Sequence, residues 1–106
     1  MTGLEFYQSA APSGDAIRVR GEIDMATAPQ LRELLEQLVS SGSRRIVLDC
    51  RELEFLDSSG IGVLVAARNR MGDGAELVIE SPPPQVLKVL EITGVSEHLS
   101  VVSDTT

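Results

Sequence analysis

Four adjacent residues, Asp57-Ser58-Ser59-Gly60, are the strongest candidates for chemistry in this sequence. They separate an apolar run, 46–48, that is typical of a buried strand from a second apolar stretch, 61–67, that favours a helix. A hydroxyl at a helix start lies close to unpaired backbone N–H groups, and the helix dipole favours an anion there. The pattern predicts that Ser58 is exposed and can carry a phosphate group.

The alternative for these residues is a purely structural role. Aspartate and serine are both preferred helix caps, and one cap contributes about 1 kcal/mol, so Asp57 or Ser58 could do no more than cap a helix. Gly60 and Gly62 argue for more, because glycine in a helix costs up to about 1 kcal/mol relative to alanine. These glycines leave either a bare surface for a docking partner or room for close packing against a strand, and both interpretations stay open.

A second polar loop follows the strand-like segment that ends in Gly21-Glu22-Ile23-Asp24. If the two loops adjoin, Asp24 and Asp57 flank the Ser58 hydroxyl. The two acids then either orient that hydroxyl, or a kinase's metal-nucleotide, or they cap a turn and a helix. Thr27 is either a helix cap or a contact residue. Ser59 has a secondary part, either in shaping its loop or as a second hydroxyl that misdirects a kinase.

The elements that must position these loops alternate between strand and helix, which predicts an α/β fold in a single domain of 106 residues. An opening antiparallel hairpin and later parallel crossovers predict a small mixed β-sheet of about four to five strands packed with about three α-helices. We expect a core over about 3–102 and a polar tail at 103–106. The predicted strands are 4–8, 16–23, 45–49, 76–79 and 99–102. The first predicted helix is capped by Thr27 and ended by Gly42, and the second spans about 58–71. The third begins within 81–84, ends at Gly94 and directs Val86, Leu87, Leu90 and Ile92 toward the core.

Composition excludes several classes of partner. A formal net charge of -7 disfavours binding to nucleic acid or to anionic lipid. The single cysteine, Cys50, rules out an internal disulfide and offers no metal-ligand spacing, so we expect no metal and no cofactor. The first residues do not resemble a signal peptide and no apolar run approaches the ~20 residues of a membrane span, which predicts a cytoplasmic protein.

The sequence does not favour an enzyme. His98 is the single histidine and Ser58 lacks the nucleophile-elbow pattern, so a Ser-His-Asp arrangement would need an unsupported long-range contact. Gly60-Ile61-Gly62 faintly imitates a dinucleotide fingerprint, but Val65 stands where the third glycine belongs.

Three segments, taken in order and spacing, resemble the STAS family and, more narrowly, the free-standing anti-sigma factor antagonists of bacteria. These are Gly21–Asp24 with Thr27 and Pro29, then Ile46–Asp49, then Phe55–Leu64. The resemblance covers roughly residues 3–102. It implies a partner-switching cycle in which an anti-sigma factor, itself a serine/threonine kinase, phosphorylates the antagonist, and a PP2C-type phosphatase reverses the modification. The unphosphorylated form binds the anti-sigma factor and releases the sigma factor.

By the same resemblance the phosphoacceptor is the first hydroxyl after the aspartate, Ser58. From their positions in and beside the two loops, we expect the partner-binding residues to be Asp24, Thr27, Asp57, Ser59, Gly60 and Gly62. The chain departs from its relatives after the last strand, where Ser103–Thr106 is too short and polar for the usual further helix. The alternative is therefore a STAS accessory or scaffold subunit of a lipid-transporter or signalling complex, without a phosphate switch.

Overall fold

The computed structural model describes residues 3–11 and 14–103, in which five strands and three α-helices alternate after an opening hairpin. Pro12 and Ser13 of the predicted turn, and residues 104–106 of the predicted tail, lie outside this description. The elements are β1 (Leu4–Ala11), β2 (Gly14–Ile23), α1 (Ala28–Ser40), β3 (Arg45–Leu56), α2 (Ser58–Met71), β4 (Glu76–Glu80), α3 (Pro84–Ile92), a 3-10 turn (Val95–Glu97) and β5 (Ser100–Val102).

The sheet has the strand order β1-β2-β3-β4-β5. β1 and β2 form the predicted antiparallel hairpin, and every later neighbouring pair is parallel. This confirms the predicted mixed α/β sheet. Because Ile23 pairs with Leu56 at the end of the register, the carboxyl ends of β2 and β3 finish side by side. The loops that follow these strands therefore leave the sheet at the same edge, where ligand and partner sites gather in parallel sheets.

Alternating apolar residues on the central strands pack with the apolar faces of the helices to form the core. On β3, Ile46, Leu48 and Cys50 are buried while the intervening Val47 and Asp49 are only half-buried. α1 contributes its residues at helical spacing, and it packs directly against α2. The most deeply buried large side chains are Ile17, Val19, Ile23, Leu31, Leu35, Ile46, Leu48, Leu53, Leu77, Ile79, Val86 and Leu90.

The structure differs from the sequence-based expectation in β3 and in α3. β3 continues for seven residues past Asp49 to Leu56, and two irregularities in its pairing with β2 absorb extra residues. α3 begins at Pro84 rather than at Ser81, because a residue that precedes a proline is pushed out of the helical region and three consecutive residues do so here. Ile92 was expected to face the core but is 74% exposed.

No helix in residues 3–11 and 14–103 is long and apolar enough to cross a membrane. Within the same residues, no group of three or more histidine, cysteine, aspartate or glutamate side chains is arranged to hold a metal ion.

Candidate functional site at the carboxyl edge of the sheet

A main-chain hydrogen bond joins the two loops at this edge. The N–H of Asp57 donates to the carbonyl oxygen of Ile23 over 3.2 Å. The bond ties the residue that precedes α2 to the last residue of β2, so the loop that carries Asp24 adjoins the loop that carries Ser58. From the sequence, the roles of Asp24 and Asp57 depended on whether the two loops adjoin. The parallel pairing of β2 with β3 brings the loops together.

Asp57 caps α2. Its backbone is extended, and its Oδ1 accepts hydrogen bonds from the N–H groups of Ser59 at 2.9 Å and Gly60 at 3.3 Å. The carboxylate satisfies two of the N–H groups that a helix start leaves unpaired. Ser58 is the first helical residue, is exposed, and makes no side-chain hydrogen bond within the part of the chain that the structure describes. The Asp57 cap is thus held by hydrogen bonds, and the Ser58 hydroxyl next to it is exposed.

The Asp24 loop is held together by its own polar side chains. Asp24 Oδ1 accepts from the N–H groups of Ala26 at 2.9 Å and Thr27 at 3.0 Å, which closes an Asx turn. The buried Thr27 hydroxyl donates to the carbonyl oxygen of Glu22 at 2.8 Å and accepts from the N–H of Asp24 at 2.9 Å. Asp24 therefore caps a turn, as one of the two interpretations has it.

The expectation that Thr27 caps α1 with its side chain is wrong. Thr27 does occupy the position before Ala28, but its backbone is already helical and its hydroxyl makes no capping bond to α1. A capping residue needs an extended backbone for its side chain to reach the N–H groups ahead of it. The hydroxyl turns back to the end of β2 instead and braces the loop.

The two glycines of α2, which the sequence treated together, have different surroundings. Gly60 is buried, and a Cβ added there would come within 2.5 Å of both Ile23 Cγ2 and Leu56 Cδ1. Gly62 is exposed, and an added Cβ would meet nothing within 4 Å. Close packing therefore explains Gly60, whereas no contact within the described residues requires glycine at position 62.

Gly62 lies in a groove between α1 and α2 with a cavity volume of about 300 Å³. The groove starts at Ser58 and Ser59 and follows α2. Arg70 near the end of α2 reaches Glu36 of α1, with Nη1 and Oε1 separated by 3.6 Å. The residues lining the groove are Arg32, Leu35, Glu36, Val39, Ser58, Ser59, Gly62, Val63, Ala66, Ala67 and Arg70. Apolar side chains, several of them small, line much of the groove, and three charged residues line it as well.

Sequence reasoning missed three residues of this region. Met25 is 80% exposed in the loop after β2, and Phe55 is 46% exposed near the end of β3. Both are large apolar side chains beside residues predicted to bind a partner. An apolar residue in a polar loop was the signal for Met25, whereas no sequence signal singled out Arg32, the basic residue of α1 that lines the groove.

The other candidate side chains lie apart from Ser58. Burial raises the pKa of the Cys50 thiol to about 12, with further contributions from the nearby charges of Asp49 and Glu80. The thiol is therefore protonated and unreactive at neutral pH. His98 lines a separate depression with Asp73 and Glu97, which does not include Ser58. The structure brings no serine–histidine pair together at this site.

The sequence matches the family described as "Mlab, STAS domain" over residues 6–103. An anti-sigma-B factor antagonist of Listeria monocytogenes is 34% identical over 86 residues, which are 80% of this chain and 75% of the relative. The protein of the same name from Staphylococcus aureus strain NCTC 8325 is 29% identical over 86 residues, 80% of each chain.

Solved structures share this fold. An anti-sigma factor antagonist from Mycobacterium paratuberculosis superposes with a TM-score of 0.87 at 24% identity, over 94% of this chain and 86% of the other. SpoIIAA in its unphosphorylated form gives a TM-score of 0.77 at 21% identity, over 94% and 90%. The phosphorylated form of SpoIIAA, a Bacillus cell fate determinant, gives 0.71 at 21% identity, over 94% and 93%. At these identities the likeness is one of fold.

Proposed function

This chain belongs to the STAS domain family, and on that premise we propose that it is an anti-sigma factor antagonist controlled by phosphorylation of Ser58. In the unphosphorylated state it binds, in the cytoplasm, an anti-sigma factor that is also a serine/threonine kinase, and so releases a sigma factor for transcription. A PP2C-type phosphatase restores this state. The protein is a regulatory binding module and carries out no catalysis of its own.

The observation that carries the proposal is the free hydroxyl of Ser58. It is exposed at the first position of α2, while the Asp57 carboxylate takes the hydrogen bonds of Ser59 and Gly60. A kinase can therefore reach the hydroxyl without unfolding the cap. Transfer forms a bond between Ser58 Oγ and the γ-phosphorus of ATP, breaks the bond to the ADP oxygen, and releases the hydroxyl proton to the kinase's base.

The negative charge of the phosphate on Ser58 controls partner binding. A phosphate adds about -1.5 to -2 beside Asp57, in a chain whose net charge is already -7. A helix N-terminus tolerates that charge locally, so the fold stays intact and the effect falls on the partner surface. Like charges brought together across an interface cost several kcal/mol, and each ~1.4 kcal/mol is a tenfold loss of affinity. A loss of at least about a hundredfold is the expected outcome.

Within the proposed interface, the predicted residues divide into two groups. Ser59 and Gly62 line the open groove and are placed to touch a partner. Thr27 and Gly60 are buried, so they act by holding the two loops in place. Asp24 and Asp57 accept backbone hydrogen bonds within their own loops and belong to the same supporting group.

Exposed apolar side chains extend this surface. Met25 and Phe55 lie in or beside the two joined loops and offer area that a partner can bury.

A second candidate is an accessory or scaffold subunit of a lipid-transporter or signalling complex without a phosphate switch. The family that matches residues 6–103 is described as "Mlab, STAS domain", which names a STAS domain and not an antagonist, so the family match is compatible with this alternative as well. Such a subunit would use the same edge of the sheet but would bind its partner whatever the state of Ser58.

The deciding experiment starts from the protein in its own cells. Wild type, Ser58→Ala, Ser58→Glu and Ser59→Ala are purified by affinity from detergent-solubilised cells, and the partners and phosphopeptides are identified by mass spectrometry. The proposal expects phosphate on Ser58, and a soluble kinase recovered with wild type and Ser58→Ala but lost with Ser58→Glu. Permease and ATPase subunits in fixed stoichiometry, with equal yield for all four proteins, would establish the alternative instead.

In vitro labelling with the recovered kinase and ATP then tests the position. Ser58→Ala should abolish labelling and Ser59→Ala should not. Loss of labelling in Ser59→Ala alone would move the phosphoacceptor by one residue.

A further inference from the structure

The groove between α1 and α2 contains two arginines in different situations. Arg70 is paired with Glu36 across the groove. Arg32 lines the groove as well, but it is exposed and has no hydrogen bond or ion pair among residues 3–11 and 14–103. Arg32 therefore has a guanidinium group available, whereas the carboxylate one turn further along α1, Glu36, already has a cationic partner.

The positions of the arginines along the groove also differ. α1 and α2 follow adjacent parallel strands, so both helices begin at the carboxyl edge of the sheet. Arg32 lies four residues after the start of α1, near the end of the groove that contains Ser58. Arg70 is twelve residues beyond Ser58 on α2, which is about 18 Å at the helical rise of 1.5 Å per residue. Arg70 contacts Glu36, which lies one turn after Arg32 on α1, so Arg32 is nearer than Arg70 to the Ser58 end of the groove.

A phosphate at Ser58 would enter acidic surroundings. Asp57 is its direct neighbour in the chain, Asp24 lies in the adjoining loop, and Glu36 lines the same groove. An unpaired cation within the same groove is the group that offsets this repulsion. The planar guanidinium donates two parallel N–H bonds to phosphate oxygens, a geometry that lysine cannot reproduce.

We propose that Arg32 is the intramolecular ligand of the phosphate on Ser58, held across the end of the groove between α1 and α2. The pairing fixes the phosphorylated side chain over the groove, so that phosphorylation covers part of the partner surface as well as changing its charge. This inference rests on the proposed phosphorylation of Ser58 and adds to it the residue that receives the phosphate.

The test uses the full chain with phosphoserine inserted at position 58 during translation, so it does not depend on any kinase. The second pKa of the phosphate is measured by ³¹P NMR titration in four backgrounds: Arg32 intact, Arg32→Gln, Arg32→Lys and Lys88→Gln. Lys88 lies on α3, outside the groove, and its substitution removes the same unit of charge. Arg32 and Lys88 are exposed, and thermal melts of the unphosphorylated variants verify that each one folds.

Pairing with a nearby cation favours the dianion and lowers the second pKa of the phosphate. Arg32→Gln is expected to raise the midpoint by roughly 0.5 pH unit, a value kept small because the pair is exposed. Lys88→Gln should leave the midpoint unchanged, and Arg32→Lys should fall between. In the intact protein, the Arg32 Nε–H signal should shift when the phosphate is present.

Equal phosphate titration midpoints in Arg32→Gln and Lys88→Gln would overturn the inference. An Arg32 Nε–H signal that does not shift when Ser58 carries the phosphate would also overturn it. Either result would leave the proposed function standing. Failure of the proposed function appears elsewhere, as protein recovered from cells without phosphate on Ser58.

Discussion

The main chain of Asp57 donates a hydrogen bond to the carbonyl oxygen of Ile23 at 3.2 Å, and this bond joins the end of β2 to the start of α2. Ile23 is also one of the two side chains that a Cβ at position 60 would strike. The same strand end therefore fixes the cap of α2 by a hydrogen bond and its first turn by packing. Ser58 lies between these two attachments and owes its fixed position to them.

Alanine substitution should separate the two glycines of α2. Gly60→Ala is expected to destabilise the protein by about 1–3 kcal/mol, because its Cβ would overlap Ile23 and Leu56. Gly62→Ala should stabilise it by up to about 1 kcal/mol, because alanine favours the helix and its Cβ meets open space. Urea denaturation of both variants measures the free energy of unfolding. Equal effects would contradict the assignment of Gly60 to packing.

The bulk of a side chain at position 62 should also reveal the partner surface. Gly62→Leu is expected to leave the free energy of unfolding near that of Gly62→Ala but to weaken partner binding at least tenfold, since its side chain would enter the groove. Isothermal titration with the recovered partner measures this, with Gly62→Ala as the matched control. Unchanged affinity would place the interface away from the groove.

The Thr27 hydroxyl should contribute to stability through its loop rather than through α1. Thr27→Val removes the bonds to the Glu22 carbonyl and the Asp24 N–H and buries a methyl group in their place. Leaving these buried groups without a partner costs about 1–3 kcal/mol. Thr27→Ser retains the hydroxyl and should lose less, which thermal denaturation can measure. A smaller loss in Thr27→Val than in Thr27→Ser would rule out this role.

Ser58→Glu should preserve the fold while it mimics the charge of the switch. A carboxylate in the first turn of α2 is stabilising by about 0.3–1 kcal/mol when exposed, so the melting temperature should stay the same or rise slightly. Binding to the anti-sigma partner should weaken by at least about tenfold, with Ser58→Ala as the uncharged control. A large drop in melting temperature would show that the switch works through the fold instead.

The Cys50 thiol should resist alkylation until the protein unfolds. Burial raises its pKa from 9.0 to about 12. The unfolded chain releases the thiol proton above about pH 9, whereas the native protein retains it up to about pH 12. The native state therefore loses stability to this group as the pH rises through that interval, and is unaffected by it below. Iodoacetamide labelling with and without urea at pH 8 tests the first statement, and urea midpoints between pH 8 and 10 test the second.

Much of the fold follows from local patterns in the sequence. α2 was predicted over 58–71 and occupies Ser58–Met71, because an aspartate cap precedes a helical apolar pattern and Gly72 ends it. The hairpin of β1 and β2 was predicted from alternation around a turn, and its antiparallel pairing is confirmed. These features depend on neighbours within a few residues, which a sequence displays directly.

The start of α3 could also have been predicted from sequence. Each of the residues 81–83 precedes a proline, which excludes the helical region at all three positions and delays the helix to Pro84. By contrast, the extension of β3 to Leu56 has no local signal, since irregular pairing with β2 breaks the alternation that identifies a strand.

The sequence alone determined that Asp57 and Ser58 stand at the start of α2 with Ser58 exposed, since a helix start depends on residue type and short spacing. The structure then assigned the cap to Asp57. The tertiary structure decided which glycine is required by packing, because Gly60 and Gly62 are equivalent until Ile23 of another strand is placed beside one of them. It also decided that Thr27 would bond back to Glu22 and that Arg32 would share a groove with Ser58. The Thr27 bond closes a local turn that the residue types left undecided. The Gly60 contact and the shared groove join residues from different elements, and their geometry exists only once β2 and β3 are paired and α1 is packed on α2.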